Sequence, residues 1–156
     1  MQIVDLKQAP KHLETLAKWH HQEWADLNPG QSLLDRIDKM QDYLGESLVP
    51  STYIALEGEQ ALGSAAITET DMENHADLSP WLASVYVDQQ FRRKGIGSLL
   101  VRHVMHEARQ AGVKELFLFT PDQANWYQKL GWETYLEEDY LGHNVTIMRI
   151  DLSNQV

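Results

Sequence analysis

The sequence predicts an α/β fold: a mixed, mostly antiparallel central sheet with one parallel β–α–β unit at its centre and helices flanking it. Three observations predict it. An apolar strand (Trp81 to Val87), a glycine-bearing turn, a helical stretch after Gly97 and a second strand (Glu115 to Thr120) follow one another, and strands joined by a helical crossover run parallel with a right-handed connection. On either side, short β-rich or small-apolar runs read as hairpins, which makes the rest of the sheet antiparallel. The length of 156 residues suits one core and one domain, expected to span residues 1–156.

The elements follow in chain order. Gln2 to Leu6 alternates and reads as a short first strand. From His12 the period becomes helical, with Leu13, Leu16, Ala17, His20, Trp24 and Leu27 on one face. Asn28-Pro29-Gly30 stops that helix. Ser32 caps a second helix, Leu33 to about Leu44, with Asp35 as its acidic first-turn partner, and Pro50 ends the helical region. Thr52 to Leu56 and Ala61 to Thr68 form a hairpin around Glu57-Gly58-Glu59-Gln60. Glu69, Asp71, Glu73 and Asp77, with His75, make an acidic loop. After the buried strand beginning at Trp81, the helix beyond Gly97 carries Leu99, Leu100, His103, Val104, Ala108 and Ala111 on one face and stops at Gly112. Glu115 to Thr120 is a strand, Gln123 to Leu130 a short helix closed by Gly131, and Thr134 to Leu136 and Asn144 to Leu152 the last two strands.

Composition excludes several functions. Lys and Arg number 13 against 23 Asp and Glu, a net charge of −10. Such a surface repels a nucleic acid and favours a cationic partner. No apolar run approaches the roughly 20 residues that span a bilayer, and no basic-then-apolar leader opens the chain, so no membrane partner and a cytoplasmic location are expected. There are no cysteines, which excludes disulfides, thiolate metal sites and thiol nucleophiles. His103 and His106 lie three apart without a further ligand, so no metal site is expected.

The chemistry concentrates at the strand-to-helix turn Val85-Tyr86-Val87-Asp88-Gln89-Gln90-Phe91-Arg92-Arg93-Lys94-Gly95-Ile96-Gly97-Ser98. The first turn of a helix carries amides with no partner inside the helix, and its dipole favours negative charge. Glycines let the backbone approach an anion, and Arg92, Arg93 and Lys94 add formal charge. The pattern reads as a phosphate or pyrophosphate cradle. It is neither a Walker A loop nor a dinucleotide fingerprint, since Gly95-x-Gly97 is not followed by a glycine at Leu100. The competing reading is a basic turn whose glycines serve only close packing.

Here the sequence resembles the GNAT superfamily of acetyl-coenzyme A-dependent N-acetyltransferases. Arg92-Arg93-Lys94-Gly95-Ile96-Gly97 fits that family's Gln/Arg-x-x-Gly-x-Gly/Ala signature. Asn125-Trp126-Tyr127-Gln128-Lys129-Leu130-Gly131-Trp132 looks like its aromatic-Tyr-x-x-x-Gly-aromatic segment. The resemblance is sharp from about Trp81 to Trp132 and looser beyond.

The resemblance implies roles. Backbone amides of Arg93, Lys94, Gly95, Ile96, Gly97 and Ser98 would hold the pyrophosphate of coenzyme A, with Arg92 opening the motif. The fourth strand would splay from the fifth, and Val85, Tyr86 and Val87 would present main chain to the pantetheine arm. The amide of Val85 or a neighbour would polarise the thioester carbonyl, as an oxyanion donor does. Tyr127 would be the catalytic side chain, giving the departing sulfur a hydrogen bond or proton, and Asn125 a further contact to the cofactor. Some members place a glutamate on the fourth strand as base; Ala83 stands there. Glu69, Asp71, Glu73 and His75 are then the available relays. Trp24 and His20 would line the acceptor side, near Trp19, Tyr140 and His143. The implied function is transfer of acetyl from acetyl-CoA to a primary amine by direct attack, the acceptor being a cationic small molecule or a peptide or protein amine. A non-catalytic acyl-CoA-binding or regulatory domain is the alternative. A homodimer is the expected assembly.

Overall fold

The computed structural model describes residues 1–153. Its seven strands are β1 (Gln2–Asp5), β2 (Ser51–Glu57), β3 (Gln60–Thr68), β4 (Trp81–Val87), β5 (Glu115–Thr120), β6 (Glu133–Tyr140) and β7 (His143–Asp151), and its four helices are α1 (Leu13–Trp24), α2 (Leu33–Met40), α3 (Ile96–Gln110) and α4 (Ala124–Lys129). The sheet order is β1-β2-β3-β4-β5-β7-β6. Only β4 and β5 run parallel, as the strand–helix–strand succession predicts.

Local chemistry sets the element boundaries. Ser32 accepts from the Asp35 amide while Asp35 accepts from the Ser32 amide, a complete capping box at the start of α2. The helix ends at Met40 and continues only as a 3-10 turn to Leu44, shorter than expected. At the far end of α3, the amides of Gly112 and Val113 bond Arg109 and Ala108 carbonyls, closing the helix as Gly112 predicts.

The largest departure from expectation is β6, which runs from Glu133 to Tyr140 instead of Thr134 to Leu136. Glu137, Glu138 and Asp139 read as a loop because they are charged. They lie on an edge strand paired on one side only, where charge on the solvent face guards a free edge.

Alternation along the strands splits the interior into layers. Tyr53, Ala55, Ile67, Leu82, Leu116 and Leu118 face α3 and α4. Ile54, Leu56 and Ala66 face α1 and α2 on the opposite side. A third cluster on that side, Met72, Leu78, Trp81, Phe117, Val145 and Ile147, covers the β5–β7 half of the sheet. On this face the second cluster ends with β3 and the third begins with Trp81 of β4, so the two meet near the boundary between β4 and β5.

That boundary is open. β4 and β5 share a single pair, Trp81 with Phe117. On the other side β4 follows β3 with a register shift: Ala83 pairs with Ala66 and Tyr86 with Ser64, so Ser84 and Val85 together oppose Ala65. This is a β-bulge, and Ser84 takes the left-handed conformation at φ 54°, a strain of roughly 1–2 kcal/mol for a residue with a Cβ. Beyond the bulge, Gly63 holds β3 close: a Cβ there would meet the Tyr86 carbonyl oxygen at 2.6 Å. The second half of β4 therefore stays with β3 and leaves β5.

Candidate active site

The N-terminus of α3 sits at the open end of this split. Gly95 precedes it at φ 82° with no side-chain cap, and no heavy atom lies within 4 Å of where its Cβ would be. The left-handed turn requires a glycine there, and the space above it is free for a ligand. Arg93, also left-handed at φ 66°, Lys94 and Arg92 are exposed. No acidic residue occupies the first turn of α3, so the unpartnered amides and helix dipole face outward with positive charge around them. Ile96 is buried, leaving its backbone as its contribution, and Ser98 is half-buried.

Gly97 has a second task. A Cβ there would lie 3.3 Å from the Trp126 ring and 3.6 Å from Val87. Close packing thus accounts for Gly97, while Gly95 is required by the left-handed turn. Arg92 is committed to the turn: its Nε donates to the Val87 carbonyl at 2.8 Å, and its guanidinium lies 5.4 Å from the Tyr86 ring centroid. One of the main-chain groups expected to face the pantetheine arm is therefore engaged by this side chain. Val85 and Tyr86 are half-buried on the splayed part of β4.

α4 carries Tyr127 next to Trp126, whose ring packs on Gly97 at the start of α3. The Tyr127 ring is buried between Trp126 and Trp132, with centroids 4.8 and 6.2 Å away. Its hydroxyl makes no hydrogen bond among the described residues. Burial, then the charge of Asp71, raises its pKa, so the phenol stays protonated through the physiological range. Asn125, one position earlier, is exposed.

On the other face of the sheet, α1 lays Trp19 and Trp24 against Tyr86, at centroid distances of 5.2 and 6.2 Å. Trp24 is half-buried. His20 is only 2% exposed, so it does not reach an acceptor directly. It belongs to a buried relay. Arg36 Nη2 donates to His20 Nδ1 at 2.8 Å and to Ser84 Oγ at 3.3 Å. Since Nδ1 accepts, the His20 proton is on Nε2, which donates to Ser64 Oγ at 3.1 Å. Burial and the neighbouring Arg36 charge hold His20 well below its usual pKa, so it is neutral.

Sequence reading left Arg36 unmarked and Asp71 as one loop acid among several. Arg36 was hidden by its place on an amphipathic helix rich in charges. Asp71 is set apart by its neighbour Met72, which is fully buried with Trp81 and Phe117 and pins the loop to the sheet. The loop is also tied to β6, where Asn74 and His75 both donate to Glu138, at 3.3 and 2.5 Å. Burial raises the Asp71 carboxyl to about 6, against the opposing pull of Arg36 and Lys39. His103 packs on Tyr53 at 4.7 Å, on the far side of α3 from any of this.

The acetyltransferase (GNAT) domain family matches residues 50–134, more than half the chain. The chain belongs to the GNAT acetyltransferase family. A curated relative, an amino-acid acetyltransferase from Mannheimia succiniciproducens, is 30% identical over 78 residues. That stretch is 50% of this chain and 17% of the relative, so the match spans about a sixth of that protein. Among solved structures, an aminoglycoside 6'-N-acetyltransferase complexed with coenzyme A superposes with a TM-score of 0.79 at 14% identity, covering 100% of this chain and 99% of that one. The yncA protein of Salmonella typhimurium with its cofactor acetyl-CoA gives 0.75 at 16%, covering 100% and 96%. At these identities the GNAT fold is what is shared, and no helix among the described residues is long and apolar enough to cross a membrane.

The Asp71 carboxyl has a stability consequence. Its pKa is about 6 folded against 3.8 unperturbed, so between those values the folded chain holds a proton that the unfolded chain has released. Stability then falls as pH rises through this window and the penalty is complete above it. Asp71→Asn removes the penalty. The variant is expected to melt above the parent at about pH 8, with the difference closing towards about pH 4, in thermal melts at both pH values.

Proposed function

We propose that this GNAT protein is an acetyl-CoA-dependent N-acetyltransferase that passes acetyl to a primary amine by direct attack, acting as one domain over its length. The observation that carries the reading is the split between β4 and β5, which adjoins the uncapped, cation-ringed start of α3; the Tyr127 hydroxyl is taken to reach into it. These residues fit the cofactor: the space above Gly95 is open and the amides beneath it lack partners. The amides from Arg93 to Ser98 would hold its pyrophosphate, the splayed Val85–Val87 backbone its arm, and Asn125 one edge. Acetyl-CoA supplies an acetyl group activated as a thioester.

The chain's own residues do the rest. The Val85 amide, freed from β3 pairing by the bulge, donates to the carbonyl oxygen as charge develops there. Tyr127 donates a hydrogen bond to the departing sulfur. With its pKa raised it is a weaker acid than a thiol, whose reference pKa is near 8.5, so it stabilises the thiolate more than it surrenders a proton. Asp71 accepts one proton of the incoming ammonium, in the role that Ala83 cannot fill, and the second proton, lost from nitrogen as the amide forms, goes to the departing thiolate. The acceptor arrives on the α1–α2 face, cationic at its amine; the acidic surface attracts it, and small cations and peptide amines both fit that charge.

Four measurements test the reading, the first the cofactor site that a binding module would share and the other three the chemistry that it would lack. Gly95→Asp adds strain and a negative charge under the pyrophosphate; calorimetry is expected to show coenzyme A binding lost in a variant whose circular dichroism is unchanged, and retained affinity would remove the cradle. Tyr127→Phe keeps the ring. Its kcat is expected to fall at least about tenfold, the scale of one lost hydrogen bond to a charged group, at unchanged cofactor affinity. Asp71 faces Arg36 and Lys39 of α2, Tyr43 after it, Tyr127 of α4 and Tyr140 of β6. The log of kcat/KM should therefore rise with pH up to about 6 and level off, with that limb missing in Asp71→Asn. Bound coenzyme A with neither thiol release nor an acetylated amine, across a broad panel, would leave only the binding module.

A further inference from the structure

Ser84 and Val85 are gripped from opposite faces of the sheet. The Ser84 hydroxyl is met from α2, where Arg36 Nη2 donates to it at 3.3 Å. The Val85 side chain packs on the other side, against the cluster that α3 and α4 cover. Between the two Cα atoms lies one peptide unit, and its N–H is the Val85 amide. A peptide unit is planar. Once both ends are held, the freedom left is rotation of the whole plane about the line joining its Cα atoms. That rotation aims the N–H, and an oxyanion donor works only when it is aimed at the place where charge develops.

The link does not end at Ser84. The other hydrogen of Arg36 Nη2 goes to His20 Nδ1 at 2.8 Å, and His20 Nε2 donates to Ser64 Oγ at 3.1 Å. Ser64 is the β3 residue paired with Tyr86. The relay therefore holds β4 directly at Ser84, just before Val85, and holds its partner strand opposite Tyr86, just after Val85. It spans the bulge. Ser64, His20 and Arg36 are 0%, 2% and 9% exposed, so water does not compete for these bonds. Arg36 is there at a cost. Its Nε is buried without a partner, and no carboxylate among the described residues pairs with it. A guanidinium buried without a counter-ion is unfavourable, and apolar side chains would fasten α2 to the sheet with less penalty. What only a donor can do here is reach two acceptors from one nitrogen. Those two are the left-handed serine and the histidine fixed on the paired strand.

We propose that Arg36 is a positioning residue for acetyl transfer: through Ser84 on one side, and His20 and Ser64 on the other, it fixes the plane of the Ser84–Val85 peptide and so aims the Val85 amide at the thioester carbonyl. Arg36 acts through the bulge and not on the cofactor or the acceptor. The inference rests on the acetyltransferase reading and adds to it a residue outside the slot.

The test needs no acceptor. Acetyl-CoA labelled with carbon-13 at its carbonyl is bound to the full chain, and isotope-edited infrared difference spectra follow the carbonyl stretch, which falls in frequency as a donor polarises the bond. In the parent the bound stretch is expected below its value in buffer. Ser84→Ala deletes the hydroxyl, and Arg36→Met deletes the donors while keeping an unbranched stem. Each should return the stretch towards the buffer value, with affinity for coenzyme A, which lacks the carbonyl, unchanged. Because the two act through one link, the double variant should lose no more than the larger single loss. An Arg36 with a merely structural role would lower the melting temperature of Arg36→Met without moving the stretch, and would leave Ser84→Ala silent. If Arg36→Met does not fold, Arg36→Lys takes its place; it keeps the charge but not the planar nitrogen that reaches both acceptors, and is expected to give an intermediate stretch. An unshifted stretch in the parent, or a parent-like stretch in Ser84→Ala or in the folded Arg36 variant, overturns the proposal and leaves the acetyl-CoA site standing. Failure of the parent to bind acetyl-CoA removes the acetyltransferase reading itself.

Discussion

Between Ala83 and Tyr86 the fourth strand carries one residue more than its partner, and it absorbs the excess by placing Ser84 in the left-handed region. The consequences reach across the molecule. β3 and β4 remain paired, held close by the missing side chain at Gly63, so the displaced backbone turns away from β5. The parallel ladder then stops after one pair, and the edge that would have been consumed by a neighbouring strand is open to a ligand's arm. A bulge adds local twist, so one strained residue converts a continuous sheet into a sheet with a slot.

Strain of that kind persists only where the surroundings hold it. Here they do so from the opposite face. Ser84 accepts from Arg36, Arg36 donates to His20, and His20 donates to Ser64 on the paired strand. The relay crosses from α2 to α1 to β3 and closes on the strand beside the bulge. On the α3 side the slot is shaped by packing instead: Gly97 lets Trp126 lie against the helix start, which sets the position of Tyr127 one residue later. The aromatic segment and the glycine turn are far apart in sequence, but they are one contact in space, which is why they occur as two motifs in fixed order.

Much of this was legible in the sequence because it is local. Helix periodicity, the Ser32 cap, the glycine turn and the strand–helix–strand order depend on neighbours a few residues apart, and each element lies within a few residues of its expected place. The edge strand β6 was misjudged because charge suggests a loop when it is read without knowing which side of the sheet is free. The bulge was invisible: nothing about Ser84 announces a left-handed serine, since the conformation is imposed by register against β3. Arg36 and Asp71 were invisible for a related reason. One resembles any charged residue on a surface helix, the other any acid in a polar loop, and only the tertiary arrangement strips them of solvent and turns them toward each other.

The contrast between the global and local electrostatics follows from distance. A net charge of −10 is spread over exposed side chains whose fields are screened within about 8–10 Å by physiological salt. It steers what approaches the protein but does not select what reacts. Close-range effects come from a few charges fixed in place, exposed at the α3 start and buried at Arg36. In this fold the α3 start supplies positive charge at the rim of the slot, Arg36 a buried cation beneath the bulge, and Asp71 a carboxyl that is raised yet still ionised near neutral pH. An acidic protein can thus keep a cationic rim and a buried arginine without contradiction. The surface charge acts at long range and is screened, whereas the field of the buried Arg36 acts only on its immediate neighbours, among them His20 and Asp71.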